Sequence, residues 1–225
     1  EATTLSEVLK HLDGKVISYG FDLSWSRIAY AKHWLQSQGI IDTKLCTGDL
    51  LNIPFADQSI DIIYTSHSIE PNGGNERKIL KELFRVARKF LILLEPGYEL
   101  AGDDAKKRME SHGYCKNLHG TAESLGCEVL EHKLFPFASN PHNPTAMTII
   151  KKNQNTNSPL PYIFACPLLK TRLEEIGSML FSPEALAVYP IVGGIPCLRV
   201  ENGIVASKYK DVMKGEGARH PSLFC

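Results

Sequence analysis

A chain of 225 residues is long enough for one well-buried domain, or for a medium domain with a small appendage. Its 25 Lys and Arg balance 25 Asp and Glu, so no net field gathers phosphates or a membrane surface, and a small-molecule or protein partner is expected over a nucleic acid. Hydrophobic residues make up 43%, which excludes a disordered chain, and no apolar run approaches the roughly 20 residues of a membrane helix.

Leu5, Val8, Leu9 and Leu12 follow helical spacing, and Asp13-Gly14 stops the run before an apolar stretch from Lys15 to Ser24 that reads as a buried strand. Ser24 can cap a second helix carrying Ile28, Ala31, Trp34 and Leu35 and ending at Gly39. A short strand is expected over Lys44–Asp49, another over Ile60–Thr65, and an amphipathic helix over Glu76–Lys89 with Ile79, Leu80, Leu83 and Val86 on one face. Phe90–Leu94 is the strand after it. Strand and helix units of this length imply an α/β fold, a doubly wound and mostly parallel sheet.

The rhythm then changes. A helix around Thr121–Leu125 leads into two extended runs, Glu128–Phe137 and Thr145–Lys151, joined by a turn-rich segment, so the sheet is expected to end in an antiparallel hairpin. Residues 153–159 are polar and aperiodic and read as a linker. A small α+β module is expected over 160–210, too short to bury a core alone and therefore leaning on the first domain of residues 1–152, with a loose tail over 211–225. Cys46, Cys115, Cys127, Cys166, Cys197 and Cys225 are widely spaced with no Cys-Xaa-Xaa-Cys pair, so neither a disulfide framework nor a zinc ribbon is encoded, and a reducing cytoplasm is the expected location.

In an open parallel sheet, ligands bind beyond the carboxyl ends of the strands, so the residues just after each strand are the candidates. Asp22 sits where a carboxylate can take both hydroxyls of a ribose; the other reading is a turn Asp beside a helix cap. Asp49 can receive an exocyclic amino group of an adenine while Leu50 supplies a backbone N–H. His67, after Thr65 and Ser66, can accept a proton near neutral pH, or serve as a structural histidine. Glu95 points either into the cleft or to a neighbouring helix N-terminus.

Gly20-Phe21-Asp22-Leu23-Ser24, then the run from Cys46 to Phe55 containing Gly48-Asp49-Leu50, then the run from Asp57 to Tyr64, together resemble the Rossmann-like class I S-adenosylmethionine-dependent methyltransferases over most of residues 1–152. The resemblance implies S-adenosylmethionine as cofactor, with Asp22 at its ribose, Asp49 and Leu50 at its adenine, and Leu23 among the cofactor-binding residues. Thr65 and Ser66 join these cofactor-binding residues, and His67 becomes the candidate base at the end of the strand that faces the transferred methyl. The family's first strand and glycine-rich loop, which approach the methionine part of the cofactor, are expected upstream of Glu1. The link Arg85–Lys89 lacks the Pro-Gly-Gly common in such proteins.

A second resemblance lies in the module. Phe164–Lys170 and Val188–Leu198, above all Tyr189-Pro190-Ile191 and Gly194-Ile195-Pro196, are similar to the small zinc-binding activators of tRNA and release-factor methyltransferases. Their metal needs a Cys-Pro-Xaa-Cys pair and two further cysteines, whereas here Cys166 remains and Leu169 replaces its partner. No structural metal is therefore expected, Cys197 is read as a buried thiol, and the core of the module is assigned to Leu168, Leu173, Leu180, Tyr189, Ile191 and Ile195.

These resemblances imply a methyltransferase with an activator-like module fused in cis, and the neutral chain suits a small-molecule or sugar-containing acceptor, with a homo-oligomer possible and no membrane partner. One alternative is a non-catalytic methyltransferase-like scaffold or protein-binding module, in keeping with the degenerate zinc motif but against the retention of Asp22 and Asp49. The other is a nicotinamide-dependent oxidoreductase, which would also place an acid after the second strand, but the chain has no Tyr-Xaa-Xaa-Xaa-Lys pair.

Overall fold

A computed structural model of the protein describes residues 2–12, 16–137, 140–152 and 162–208. The linker expected over 153–159 and the tail expected over 211–225 lie outside the described residues. The chain divides into two compact units, Glu1–Pro54 with Phe164–Cys225, and Phe55–Ile163.

The first unit opens with helix α1 (Thr3–Lys10), whose buried Ser6 hydroxyl donates to the Thr3 carbonyl and accepts from the indole N–H of Trp34 at 3.2 Å. Strand β1 (Tyr19–Asp22) and strand β2 (Lys44–Thr47) pair in parallel, with helix α2 (Trp25–Ser37) as the crossover a parallel pair requires. Ser24 caps α2 by accepting from the Arg27 N–H, and the helix buries Ile28, Ala31 and Leu35. Here the apolar spacing in the sequence was sufficient to orient the helix. The strand expected over Lys15–Ser24 is shorter than its apolar run, and Val16 and Ile17 are exposed.

The second unit holds β3 (Ile60–Ser66), α3 (Glu76–Val86), β4 (Ala87–Pro96), a 3-10 turn (Tyr98–Leu100), α4 (Asp103–Ser111), α5 (Leu118–Ser124), β5 (Glu128–Leu134) and β6 (Thr145–Lys151). Its sheet runs β3-β4-β6-β5, parallel between β3 and β4 and antiparallel elsewhere, so the terminal hairpin is present. Ile79, Leu80, Leu83 and Val86 of α3 are all buried. β4 and β6 lie inside the sheet and bury Leu91, Leu93, Glu95, Thr148 and Ile150, whereas Ile62 on the edge strand β3 is 55% exposed. The described strands of residues 1–152 thus form two sheets rather than one, with parallel pairing confined to β1–β2 and β3–β4.

The remaining strands belong to the first unit: β7 (Glu174–Ile176), β8 (Met179–Ser182), β9 (Ala187–Val192), β10 (Ile195–Pro196) and β11 (Ile204–Val205), all antiparallel around β9. No α-helix occurs among the described residues here, so the expected α+β module is corrected to a β module. The reason is segment length: its apolar runs are broken every few residues by turns. Gly193 and Gly194 form the two-residue connection of β9 to β10, both at positive φ (58° and 70°), the backbone that suits a tight hairpin. Tyr189, Leu180 and Ile195 are buried as expected, and Leu173 and Ile191 are half-buried. Leu168 is 55% exposed because it occupies the tip of the turn closed by the Lys170 N–H on the Cys166 carbonyl.

The module is seated on the first unit's own elements. Thr47 forms a parallel bridge with Cys197, and the Leu198 N–H donates to the Thr47 carbonyl at 3.2 Å. The edge of β2 is therefore covered rather than left as a row of unpaired backbone groups. Trp25 donates its indole N–H to the Val192 carbonyl at 3.1 Å and packs beside Gly193, where a Cβ would approach the indole to 3.2 Å.

Candidate active site

In the first unit the candidates follow the carboxyl ends of β1 and β2. Asp22 is half-buried; its Oδ1 accepts from the Ser24 N–H at 2.8 Å and its Oδ2 lies 4.0 Å from Nη1 of Arg27. An ionised carboxylate has about four lone-pair sites, so Asp22 retains capacity for two ligand hydroxyls. Leu23 beside it is 51% exposed, and Trp25 is 40% exposed. Asp49 Oδ1 accepts from the Leu51 N–H at 2.8 Å, forming a turn in which Leu50 is half-buried.

A cleft of about 410 Å³ opens between the ends of these strands and the module, bounded by Leu23, Trp25, Thr47, Arg199 and Asn202 among others. Nη1 of Arg199 donates to the Leu23 carbonyl at 3.2 Å, so the residue next to Asp22 is held by the module. Cys166 and Cys197 are both buried: Cys166 Sγ meets the Tyr189 hydroxyl at 3.6 Å, and Cys197 Sγ the Ile195 carbonyl at 3.7 Å.

In the second unit Thr65 is buried at the end of β3, while Ser66 and His67 are exposed. His67 takes a left-handed conformation, φ 51°, which turns the chain out of the strand. The following loop is organised by Glu95, the residue whose direction the sequence left open. Its Oε1 accepts from the Ser68 N–H and its Oε2 from the Ile69 and Glu70 N–H groups, each at 3.1 Å. Glu95 thus takes neither expected direction, the cleft or a helix N-terminus, and points into the turn that carries His67. Burial raises its pKa above the ordinary carboxyl value, against the Thr65 hydroxyl, the backbone N–H groups and His67, which favour the charged form.

Both ring nitrogens of His67 are engaged. Nδ1 is paired with the Glu70 carboxylate, and Nε2 lies 3.0 Å from the Thr145 hydroxyl at the start of β6. A carboxylate on Nδ1 fixes the tautomer with the proton on that nitrogen and leaves Nε2 as the acceptor. Sequence reasoning found His67 but neither partner. Glu70 is three residues on, a spacing that could have been noticed; Thr145 is brought in by the antiparallel β4–β6 register, opposite Pro96, and has no local signal.

Parallel strands with helical crossovers and polar residues gathered at the strands' carboxyl ends define a Rossmann-like nucleotide-binding class of α/β protein. A methyltransferase-domain family model matches residues 3–152. Among solved structures the chain is similar to magnesium protoporphyrin IX methyltransferase (ChlM) from Synechocystis PCC 6803 with bound SAH, at 12% identity over 68% of each chain and a TM-score of 0.52. It is similar also to the [4+2]-cyclase SpnF (15% identity, 67% of this chain and 72% of that one, TM-score 0.51). Geranyl diphosphate methyltransferase in complex with SAM aligns at 9% identity over 68% and 74%, with a TM-score of 0.50. Identities this low speak to the fold. The chain belongs to the methyltransferase-domain family, as an S-adenosylmethionine-dependent methyltransferase.

The donor set fits that cofactor. Its ribose needs an acidic acceptor with spare lone pairs, and half-buried Asp22, with one carboxylate oxygen on the Ser24 N–H, keeps that capacity. Among the described residues, no helix is long and apolar enough to cross a membrane.

Proposed function

We propose that this methyltransferase acts on a small-molecule or sugar-containing acceptor, with a domain over 1–152 and an activator-like module over 160–210 that carries no zinc on its cysteines. When bound, the cofactor supplies an electrophilic sulfonium methyl. In the first unit Asp22 holds the ribose hydroxyls, Leu23 packs against the nucleoside, and Asp49 with Leu50 reads the adenine edge. In the second unit His67 is the general base, set by Glu70, with Thr65 and Ser66 at the end of the same strand. Methyl transfer needs its nucleophile held in line, and positioning provides much of the rate. The charge-neutral chain and the relatives' named substrates, a porphyrin and an isoprenoid diphosphate, support a small acceptor.

One contact above all ties the module to the cofactor-facing turn. Arg199 holds the carbonyl of Leu23, one residue from the ribose-binding carboxylate, while Leu198 seals the edge of β2. Such a module stabilises the cofactor-facing turns in cis, at an effective concentration that no separate partner matches.

The carrying observation is Asp22, a carboxylate fixed at a strand end with capacity to spare. Calorimetric titration with S-adenosylhomocysteine should give saturable binding, and Asp22→Ala should weaken it by roughly 10- to 100-fold, the cost of a charged hydrogen-bond acceptor. Unchanged affinity in Asp22→Ala would remove the ribose assignment, and absence of binding by the folded protein would favour the non-catalytic scaffold.

A further inference from the structure

Three side chains outside the residues discussed so far converge in the second unit. Glu99 stands on the 3-10 turn after β4, His119 on α5 and His132 on β5, all half-buried, each offering one ligand atom within 4.8 Å of the others. The two imidazoles stack, with centroids 4.1 Å apart and 16° between their planes.

Their hydrogen bonding is incomplete in a directed way. His119 Nδ1 and His132 Nε2 are buried and have no hydrogen-bond partner, although nearly all buried polar atoms find one. The opposite nitrogen of His132 lies 2.9 Å from the Thr148 hydroxyl. With that Nδ1–H donating to Thr148, Nε2 presents a bare lone pair, the arrangement by which an outer partner orients a metal-ligating histidine. Glu99 Oε1 accepts from the Asn117 N–H at 2.6 Å, which anchors the carboxylate and leaves Oε2 free to ligate.

We propose that Glu99, His119 and His132 bind a divalent first-row transition ion, zinc in the first instance. Two imidazole nitrogens and one carboxylate make the borderline nitrogen and oxygen donor set such ions prefer over calcium or magnesium, and three protein ligands leave a position open for water or a substrate oxygen. The ion gives both orphaned nitrogens a partner. Because the ligands come from three elements, it also ties the turn after β4 to α5 and β5. Coordination brings both nitrogens within about 2.1 Å of one ion and turns at least one ring out of the stack. This site departs from the expectation of no structural metal, which rested on the missing cysteines of the module and left these imidazoles unweighed.

The full chain, stripped with a chelator, is titrated with zinc and, separately, with cobalt(II). One equivalent of zinc should bind and raise the melting temperature. Cobalt should give weak visible d–d bands without intense near-ultraviolet thiolate charge transfer. His132→Ala and Glu99→Gln should each weaken zinc binding by at least about tenfold and lose the thermal shift. Glu99→Gln keeps the side chain's shape and its acceptor for Asn117, so it decides the matter where a histidine variant fails to fold. No saturable binding, equal affinity in the variants, or thiolate bands placing the ion on cysteines would each overturn the site.

Discussion

His67 and His132 each set one ring nitrogen against a threonine hydroxyl of the same strand, Thr145 and Thr148 of β6. These threonines are three residues apart in a regular stretch of strand, so they face opposite sides of the sheet. What differs is the second nitrogen. That of His67 meets a carboxylate, and the histidine becomes one member of a closed Glu70–His67–Thr145 chain. That of His132 has no partner, and its ring stacks on His119, whose buried Nδ1 has none either. The first arrangement suits a group that takes a proton and gives it back, since every state of the ring has a partner. The second suits a ring whose partner comes from outside, since His132 Nε2 and His119 Nδ1 are both buried without one.

Each side of this comparison can be broken separately. The largest effect is expected from His67→Ala, which should lower turnover by about 10²- to 10⁴-fold, the usual contribution of a positioned base, with little change in affinity for S-adenosylhomocysteine. Turnover equal to that of the unmodified protein, measured under saturating cofactor, would reduce His67 to a loop-shaping residue. Next comes Thr148→Val, which removes the hydroxyl orienting His132 and should weaken zinc binding by about 10- to 100-fold. Thr145→Val removes the matching hydroxyl from His67 and should cost turnover only about fivefold, the worth of one neutral hydrogen bond, because Glu70 still fixes the tautomer. If Thr145→Val proved as damaging as His67→Ala, the threonine rather than the carboxylate would be the partner that positions the ring.

The ends of the strands were legible in the sequence because they are local. Asp22 and Asp49 stand beside Gly and turn residues after apolar runs, and the structure places both at strand ends. α3 was legible through the four-residue stripe Ile79, Leu80, Leu83 and Val86. α4 was not anticipated, since only Ala105 and Met109 of its nine residues are buried and the rest are polar. Two small anchors give no periodic signal against a charged background. The partners of His67 and His132 were hidden for a different reason. Thr145 and Thr148 sit on a strand that joins the sheet in antiparallel register next to β4 and β5, so the contact follows from topology and not from spacing along the chain.

The smallest expected effect concerns Glu95, which holds the turn that presents His67. Burial outweighs the hydrogen bonds to its charged form, so its pKa is raised on folding. A carboxyl whose folded-state value is raised contributes stability that is fully present below the unfolded value of 4.5 and is lost as pH rises through the folded value. The folded protein should therefore lose stability relative to its Glu95→Gln variant as pH is raised from 4 to 7, read as the difference between the two melting temperatures across that range. The opposite slope would mean that the three N–H groups of Ser68, Ile69 and Glu70 overcompensate the desolvation of the carboxylate. In that case Glu95 would be a charge the fold prefers, and the turn carrying His67 would be tightest at neutral pH.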